Sequence, residues 1–207
     1  YAIKKCSESG GGVVVIPSGL WTTGPIKMKS NVNLHTKNGA FISFTNDLNQ
    51  YQLIESYFEG NKVIRCESPI MGVDLENIAI TGEGIFDGNG AAWRPIKIGK
   101  MTDEQWETLV NSGGVLSKDG KIWYPSNEAL IGNEEKDKLP KMPTVENMKP
   151  YKQALRPVMV SLVNCKKLLL DGVTFQNSPA WNVNPLMCEH ITLSNLTIRN
   201  PWYSQNG

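Results

Sequence analysis

The chain has 207 residues, 40% of them hydrophobic and 20% charged, with 21 Lys+Arg against 20 Asp+Glu. That length suffices to bury a core as one domain or two small ones, and a net charge of +1 lacks the basic excess expected of a nucleic-acid-binding domain. The richest apolar runs, Val13-Val14-Val15-Ile16 and Leu168-Leu169-Leu170, are strand-length and fall well short of the roughly 20 residues of a membrane span.

In chain order, residues 2–9 read as the end of a short helix, so that residues 1–10 form a cap remnant before Gly10-Gly11-Gly12. Short apolar segments follow at Val13 to Ile16, Ile26 to Met28, Val32 to Leu34 and Phe41 to Phe44, each bounded by Gly, Pro, Ser or Asn. This is a succession of strands and sharp turns without a helical stripe. Another such unit runs from Glu76 to Gly88. The pattern then breaks from about residue 98 to 155. Thr102-Asp103-Glu104-Gln105 opens that stretch with a capping-box pattern, predicting a helix to about Val110. The charged run Glu134 to Lys138 reads as a solvated loop.

Beyond the break the sequence repeats. Cys165 to Asn177 aligns with Cys188 to Asn200 at a constant offset of 23 residues, matching Leu168 with Ile191, Leu170 with Leu193, Phe175 with Ile198 and Asn177 with Asn200. A fixed period of short strands predicts an all-β fold, a parallel β-helix in which residues one period apart stack like on like about 4.8 Å apart. A β-sandwich, the rival, predicts no fixed register. Asn177 and Asn200 read as a turn ladder. The 98–155 break then becomes an insertion on the binding face of one β-helix domain that occupies the whole of 1–207.

Chemistry is sparsely signalled. Cys6, Cys66, Cys165 and Cys188 have neither the spacing nor the His neighbours of a zinc site, and read as small buried thiols. No metal or cofactor is expected. Asp74, Asp87 and Asp171 fall at turns, and neither His35 nor His190 adjoins a nucleophile. Within Trp181-Asn182-Val183-Asn184, alternation points Trp181 and Val183 inward and Asn182 and Asn184 outward. One period earlier, Ser161 falls on the same outer stripe as Asn184, and Gly207 falls there one period later. Uncharged polar groups in such a stripe suit sugar hydroxyls. Trp181 and Trp202 fall near coil edges, where an indole stacks on a sugar ring or simply packs.

Gly11 to Ile26, Lys29 to Leu34, Gly82 to Gly90 with Trp93, Arg156-Pro157 and above all Asn177-Ser178-Pro179-Ala180-Trp181-Asn182-Val183-Asn184-Pro185 resemble polygalacturonase-type enzymes, glycoside hydrolase family 28. The resemblance implies a right-handed parallel β-helix that hydrolyses galacturonic-acid linkages of pectic polysaccharide with inversion, secreted or periplasmic. The family's catalytic carboxylates lie in an Asn-x-Asp motif and an Asp-Asp pair, backed by Gly-His-Gly and Arg-x-Lys. An inverting pair stands about 6.5–9.5 Å apart to admit a water. Of these motifs the chain carries only Asn206-Gly207, which looks like the start of Asn-x-Asp. The expectation is therefore a truncated, N-terminal part of such an enzyme, inactive alone, with the first catalytic Asp immediately after Gly207. Arg156, Ser161, Trp181, Asn182, Asn184 and Asn206 become the candidate substrate-binding residues, with Lys97 and Lys100 as partners for an acidic sugar. The alternatives are a non-catalytic polysaccharide-binding β-helix, or a pectate lyase, for which no calcium-binding acidic cluster is visible.

Overall fold

A computed structural model describes residues 1–58, 60–134 and 139–204. Helix α1 (Ala2–Glu8) precedes five coils. The first holds β1 (Gly12–Ile16), β2 (Gly19–Thr23) and β3 (Ile26–Lys27). The second holds β4 (Val32–Thr36) and β5 (Ala40–Phe44), a side excursion β6 (Leu53–Phe58) and β7 (Asn61–Cys66), then β8 (Ile70–Val73). The third holds β9 (Glu76–Gly82) and β10 (Ile85–Asp87), a longer excursion, then β14 below. That longer excursion contains β11 (Ile96–Lys97), α2 (Asp103–Asn111), β12 (Val115–Leu116), β13 (Ile122–Tyr124), α3 (Asn127–Glu134) and a 3-10 segment, Lys149–Ala154; the coil is completed by β14 (Val160–Val163). The fourth coil is β15 (Lys166–Asp171), β16 (Thr174–Gln176) and β17 (Val183–Leu186); the fifth begins with β18 (Glu189–Ser194) and β19 (Thr197–Arg199).

Corresponding strands stack into three parallel sheets: sheet A in the order β1-β4-β9-β15-β18, sheet B as β2-β5-β10-β16-β19, and sheet C as β3-β8-β14-β17. The fold is a parallel β-helix. The offset of 23 read from the sequence is the ladder register, with Leu168 opposite Ile191 and Phe175 opposite Ile198.

Alternation decides what each coil buries. Leu34, Ile80 and Leu170 stack inward from sheet A, Ile42, Phe86 and Phe175 from sheet B, and Ile70, Val160 and Val183 from sheet C, forming one continuous core. The inward residues of the fifth coil continue the stack but are open, Leu193 at 49% and Ile198 at 47% exposure. At the other end, α1 lies beside β1 and β4 and puts Ile3 against the core.

The corners repeat as faithfully as the strands. Asp74, Asn164 and Met187 share one positive-φ position, Asn77, Lys167 and His190 another, and Gly82, Gly172 and Asn195 a third. His190 is thus the positive-φ second residue of β18, equivalent to Asn77 in β9 and Lys167 in β15. Asp74, Asp87 and Asp171 accept hydrogen bonds from Asn164, from Asn89 N–H and from Ser194 respectively, as their turn positions predict. The Asn177–Asn200 ladder takes a different form. Asn177 Nδ2 donates to Asp87, and Asn200 Oδ1 accepts from Ser178 N–H, so each Asn holds the neighbouring turn and not the other Asn.

Helix α2 carries the capping box, Thr102 Oγ1 accepting from Gln105 N–H while Gln105 Oε1 accepts from Thr102 N–H. All four cysteines are free, but only Cys66 and Cys165 are buried; Cys6 and Cys188 are half-exposed, which corrects the reading of four core thiols. Glu134 ends α3 and accepts a hydrogen bond from Tyr124, and the rest of the charged run lies outside the described residues. The β6–β7 hairpin was not read from the sequence. Its two strands pair antiparallel with each other in a separate sheet and take no part in the period that reveals the coils.

Candidate functional site

Both excursions leave the solenoid at the same corner. Each connects a sheet B strand to the next sheet C strand, from β5 to β8 and from β10 to β14. Together they flank the outer face of sheet C. Along that face run Lys27, Met71, Ser161 and Asn184 in parallel register.

The two excursions also pack on each other. Tyr51, Cys66 and Trp93 form a second buried cluster, with the Tyr51 and Trp93 rings edge to face at 5.1 Å. Such a cluster holds the two excursions fixed relative to each other. The hairpin is tied to the solenoid as well. Phe58 stacks on Trp181 at 4.5 Å, and the Arg65 guanidinium lies 3.5 Å above the other partner, the Phe58 ring, while donating to the Arg156 carbonyl. Lys27 Nζ reaches the buried carboxylate of Glu67 at 2.6 Å, and Glu67 also accepts from Gln52 N–H.

The longer excursion is rooted by Arg94. Its side chain is 2% exposed, and it donates to the Ser178 carbonyl and to Asn177 Oδ1, both at 2.6 Å. Gly90 makes that approach feasible, since a Cβ there would sit 2.3 Å from the Ser178 carbonyl oxygen. Desolvation lowers the pKa of Arg94, with the neighbouring Arg156 adding to the effect and Tyr203 and Asp87 opposing it. Burial also lowers that of Arg156, whose Nη1 donates to the Pro179 carbonyl. A guanidinium remains charged under such shifts. Among the described residues, neither Arg94 nor Arg156 forms an ion pair with a carboxylate. The corner therefore concentrates positive charge that, among the described residues, no carboxylate pairs with directly.

The candidate residues named from sequence divide accordingly. Ser161 and Asn184 lie side by side in register on the outer face, yet Ser161 is only 8% exposed, so the open polar stripe narrows to Asn184. Asn182 is not on that stripe. It is 2% exposed, donates to Asn200 Oδ1 at 3.4 Å and leaves its own Oδ1 without a partner among the described residues. The alternation that set its direction fails because residues 177–182 form the corner and β17 begins only at Val183. Trp181 likewise does not point into the core; it packs against the hairpin. Asn206 lies outside the described residues. Lys97 and Lys100 are exposed on the longer excursion, and β11, which carries Lys97, packs beside residues 202–204. Arg94 and Arg65 were missed. Arg94 had a signal, a lone cation directly after Trp93 in a run of Gly and Ala; Arg65, in a hairpin whose packing partner is distant in sequence, had none.

The nearby carboxylates already have partners. Glu67 faces Lys27, Asp87 accepts from Gln176 and Asn177, and Glu134 accepts from Tyr124. No group of three or more His, Cys, Asp or Glu among the described residues is arranged to hold a metal ion. The arrangement can bind an anion by charge-assisted hydrogen bonds but, among the described residues, presents no free acid–base pair.

No family model matches the chain. It is 24% identical over 210 residues to a probable polygalacturonase of Vitis vinifera, an alignment covering 99% of this chain and 33% of that protein. A hyperthermoactive exopolygalacturonase from Thermotoga maritima superposes with a TM-score of 0.68 at 29% identity, covering 96% of this chain and 41% of the other. The family 28 exopolygalacturonase of Yersinia enterocolitica shares the fold at TM-score 0.62 and 20% identity, over 96% of this chain and 35% of the other. The chain is thus similar to family 28 polygalacturonases in sequence and in its β-helix, and spans about a third of the length of the curated relative it matches.

Proposed function

We propose that the chain is part of a pectin-degrading glycoside hydrolase of the polygalacturonase type, acting by inverting hydrolysis of galacturonic-acid linkages outside the cytoplasm. The whole chain contributes to one β-helix domain, and the outer face of sheet C is its substrate floor. The observation that carries this reading is the convergence of Arg94 and Arg156, without carboxylate partners among the described residues, at the corner bordering that face. A polyuronate supplies the missing negative charge. Arg156, the less buried member, holds a uronate carboxylate, Asn184 meets a sugar hydroxyl beside the nearly buried Ser161, and Trp181 packs on the hairpin at the edge of that face. Arg94 and Asn182, being buried, shape the corner and do not touch the sugar. The general acid and base come from coils that are not in these 207 residues, because the carboxylates at the corner already serve other partners.

One competing reading, a β-helix that binds polysaccharide without cutting it, is favoured by that same lack of a free carboxylate pair. The two readings separate on one experiment. The 207-residue chain is titrated with trigalacturonate and assayed for released reducing ends, and the assay is repeated after the chain is extended by its downstream codons. We expect saturable binding without cleavage by the chain, about tenfold weaker or worse in Arg156→Ala, and cleavage by the extended protein. Cleavage by the chain itself refutes the external acid–base pair. Binding unaffected by Arg156→Ala refutes the arginine corner, and an extended protein that binds without cutting establishes the competing reading.

A further inference from the structure

A second recess lies on the longer excursion, beside the fifth-coil corner. It is an open recess of about 590 Å³ between one face of α2 and the Trp202–Tyr203 pair, within the roughly 300–1,000 Å³ usual for small-molecule sites. Trp202 is 48% exposed and stands edge-on to Tyr203, ring centroids 5.6 Å apart at 85°. Tyr203 in turn has its ring centroid 5.9 Å from the Arg94 guanidinium, so the recess adjoins the arginine corner.

The chemistry of its lining differs from that of the corner. Met101, Leu109 and the indole of Trp202 supply apolar surface, and Glu104, Gln105 and Thr108 supply polar groups along the exposed side of α2. Among the described residues the side chains of Glu104 and Thr108 have no hydrogen-bond or ion-pair partner. The capping box takes Gln105 Oε1 and leaves its amide N–H groups as donors. Among the described residues, no Lys, Arg or His lines the recess. An aromatic face beside an acceptor, a donor and a hydroxyl suits a sugar ring. The Glu104 carboxylate, with no cation lining the same recess, disfavours a second carboxylate.

The geometry points to a binding site for an uncharged sugar residue, adjacent to the uronate-binding corner and of opposite charge preference. The inference rests on the carbohydrate reading above, and it makes the protein a reader of chains in which a neutral sugar neighbours an acidic one. Trp202 stacks on the ring, Glu104 accepts from a hydroxyl, and Gln105 and Thr108 fix the ring's orientation.

Two ligands of the same shape test it. α-1,4-Galactobiose and digalacturonate differ by CH2OH against carboxylate at C6 of each ring, so charge is the variable. Calorimetric titrations use the full 207-residue chain and its Trp202→Ala, Thr108→Val and Arg156→Ala variants, each first checked for an unchanged melting temperature. The expected result is millimolar galactobiose binding that weakens tenfold or more in Trp202→Ala and severalfold in Thr108→Val, and that stays within twofold in Arg156→Ala. Thr108 is exposed, so its variant keeps the test valid if loss of Trp202 disturbs folding. The inference is overturned if galactobiose does not bind saturably, if both α2-facing changes leave its affinity within twofold, or if Trp202→Ala weakens digalacturonate more than galactobiose. Failure of the uronate corner shows separately, as digalacturonate binding insensitive to Arg156→Ala.

Discussion

Phe86 and Phe175 offer a direct test of how the longer excursion is accommodated. Both are fully buried in sheet B, their rings stack at 5.5 Å and 27°, and the strands pair in parallel with Phe86 opposite Phe175. They are 89 residues apart, whereas Phe175 and Ile198 on the next rung are 23 apart, because the excursion is inserted into that coil. Truncating either ring to Ala removes a fully buried aromatic and leaves a cavity walled by strands that cannot close in, a cost of about 3–5 kcal/mol. At about 2–4 °C per kcal/mol for a chain of this size, the melting temperature falls by roughly 6–20 °C. Stacked aromatic rings contribute about 0.5–1.5 kcal/mol beyond the area they bury. The double variant should therefore be less destabilised than the sum of the singles by about that amount, read from denaturant unfolding of all four proteins. Additivity within about 0.3 kcal/mol would mean the rings do not touch, and the excursion would then have displaced the register it is taken to preserve.

Four further outcomes follow from the same fold. Gly82 has φ +104 and an added Cβ would lie 2.0 Å from the Thr36 carbonyl oxygen, so Gly82→Ala should destabilise by about 2–3 kcal/mol or more in the same unfolding assay; a neutral substitution would refute the corner geometry. Burial pushes the Cys66 thiol up to about 12, so in the native state a disulfide reagent at pH 8 should label Cys6 and Cys188 long before Cys66 and Cys165, whose modification should track unfolding. With the folded pKa above the unfolded value, Cys66 contributes stability that is complete below about pH 9 and is lost as pH rises towards 12. Hydrogen bonds from Lys167, from Ser194 and from Ser117 hold the carboxyls of Glu76, Asp171 and Asp119 below the usual carboxylate range. Their contribution is present above about pH 4 and lost as pH falls through the lowered values; the melting temperature should drop on acidification, less steeply in Asp171→Asn, and an unchanged slope would count against that hydrogen bonding.

The sequence by itself determined the solenoid. Stacked coils place equivalent residues in one environment, so Leu168 and Ile191, or Phe175 and Ile198, are selected by the same contacts and appear as a period. Turn chemistry was legible for the same reason, since Asp74, Asp87 and Asp171 occupy corners where a short acceptor side chain satisfies backbone or neighbouring amides. The capping box of α2 was legible because both its partners lie within three residues.

Only the tertiary structure decided the site. Trp181 is turned onto Phe58, Arg94 reaches Ser178 across 84 residues, and Arg65 reaches the Arg156 carbonyl across 91. Each of these contacts joins an excursion to a corner and occurs once, so no repeat or alternation announces it. Asn182 shows the consequence: a two-residue alternation extended one step beyond its strand faces it to solvent, whereas the corner buries it beside Asn200. Periodic contacts leave their spacing in the sequence; contacts made once between distant segments leave only residue types, and their positions are set by the packing of the two excursions on the outer face of sheet C.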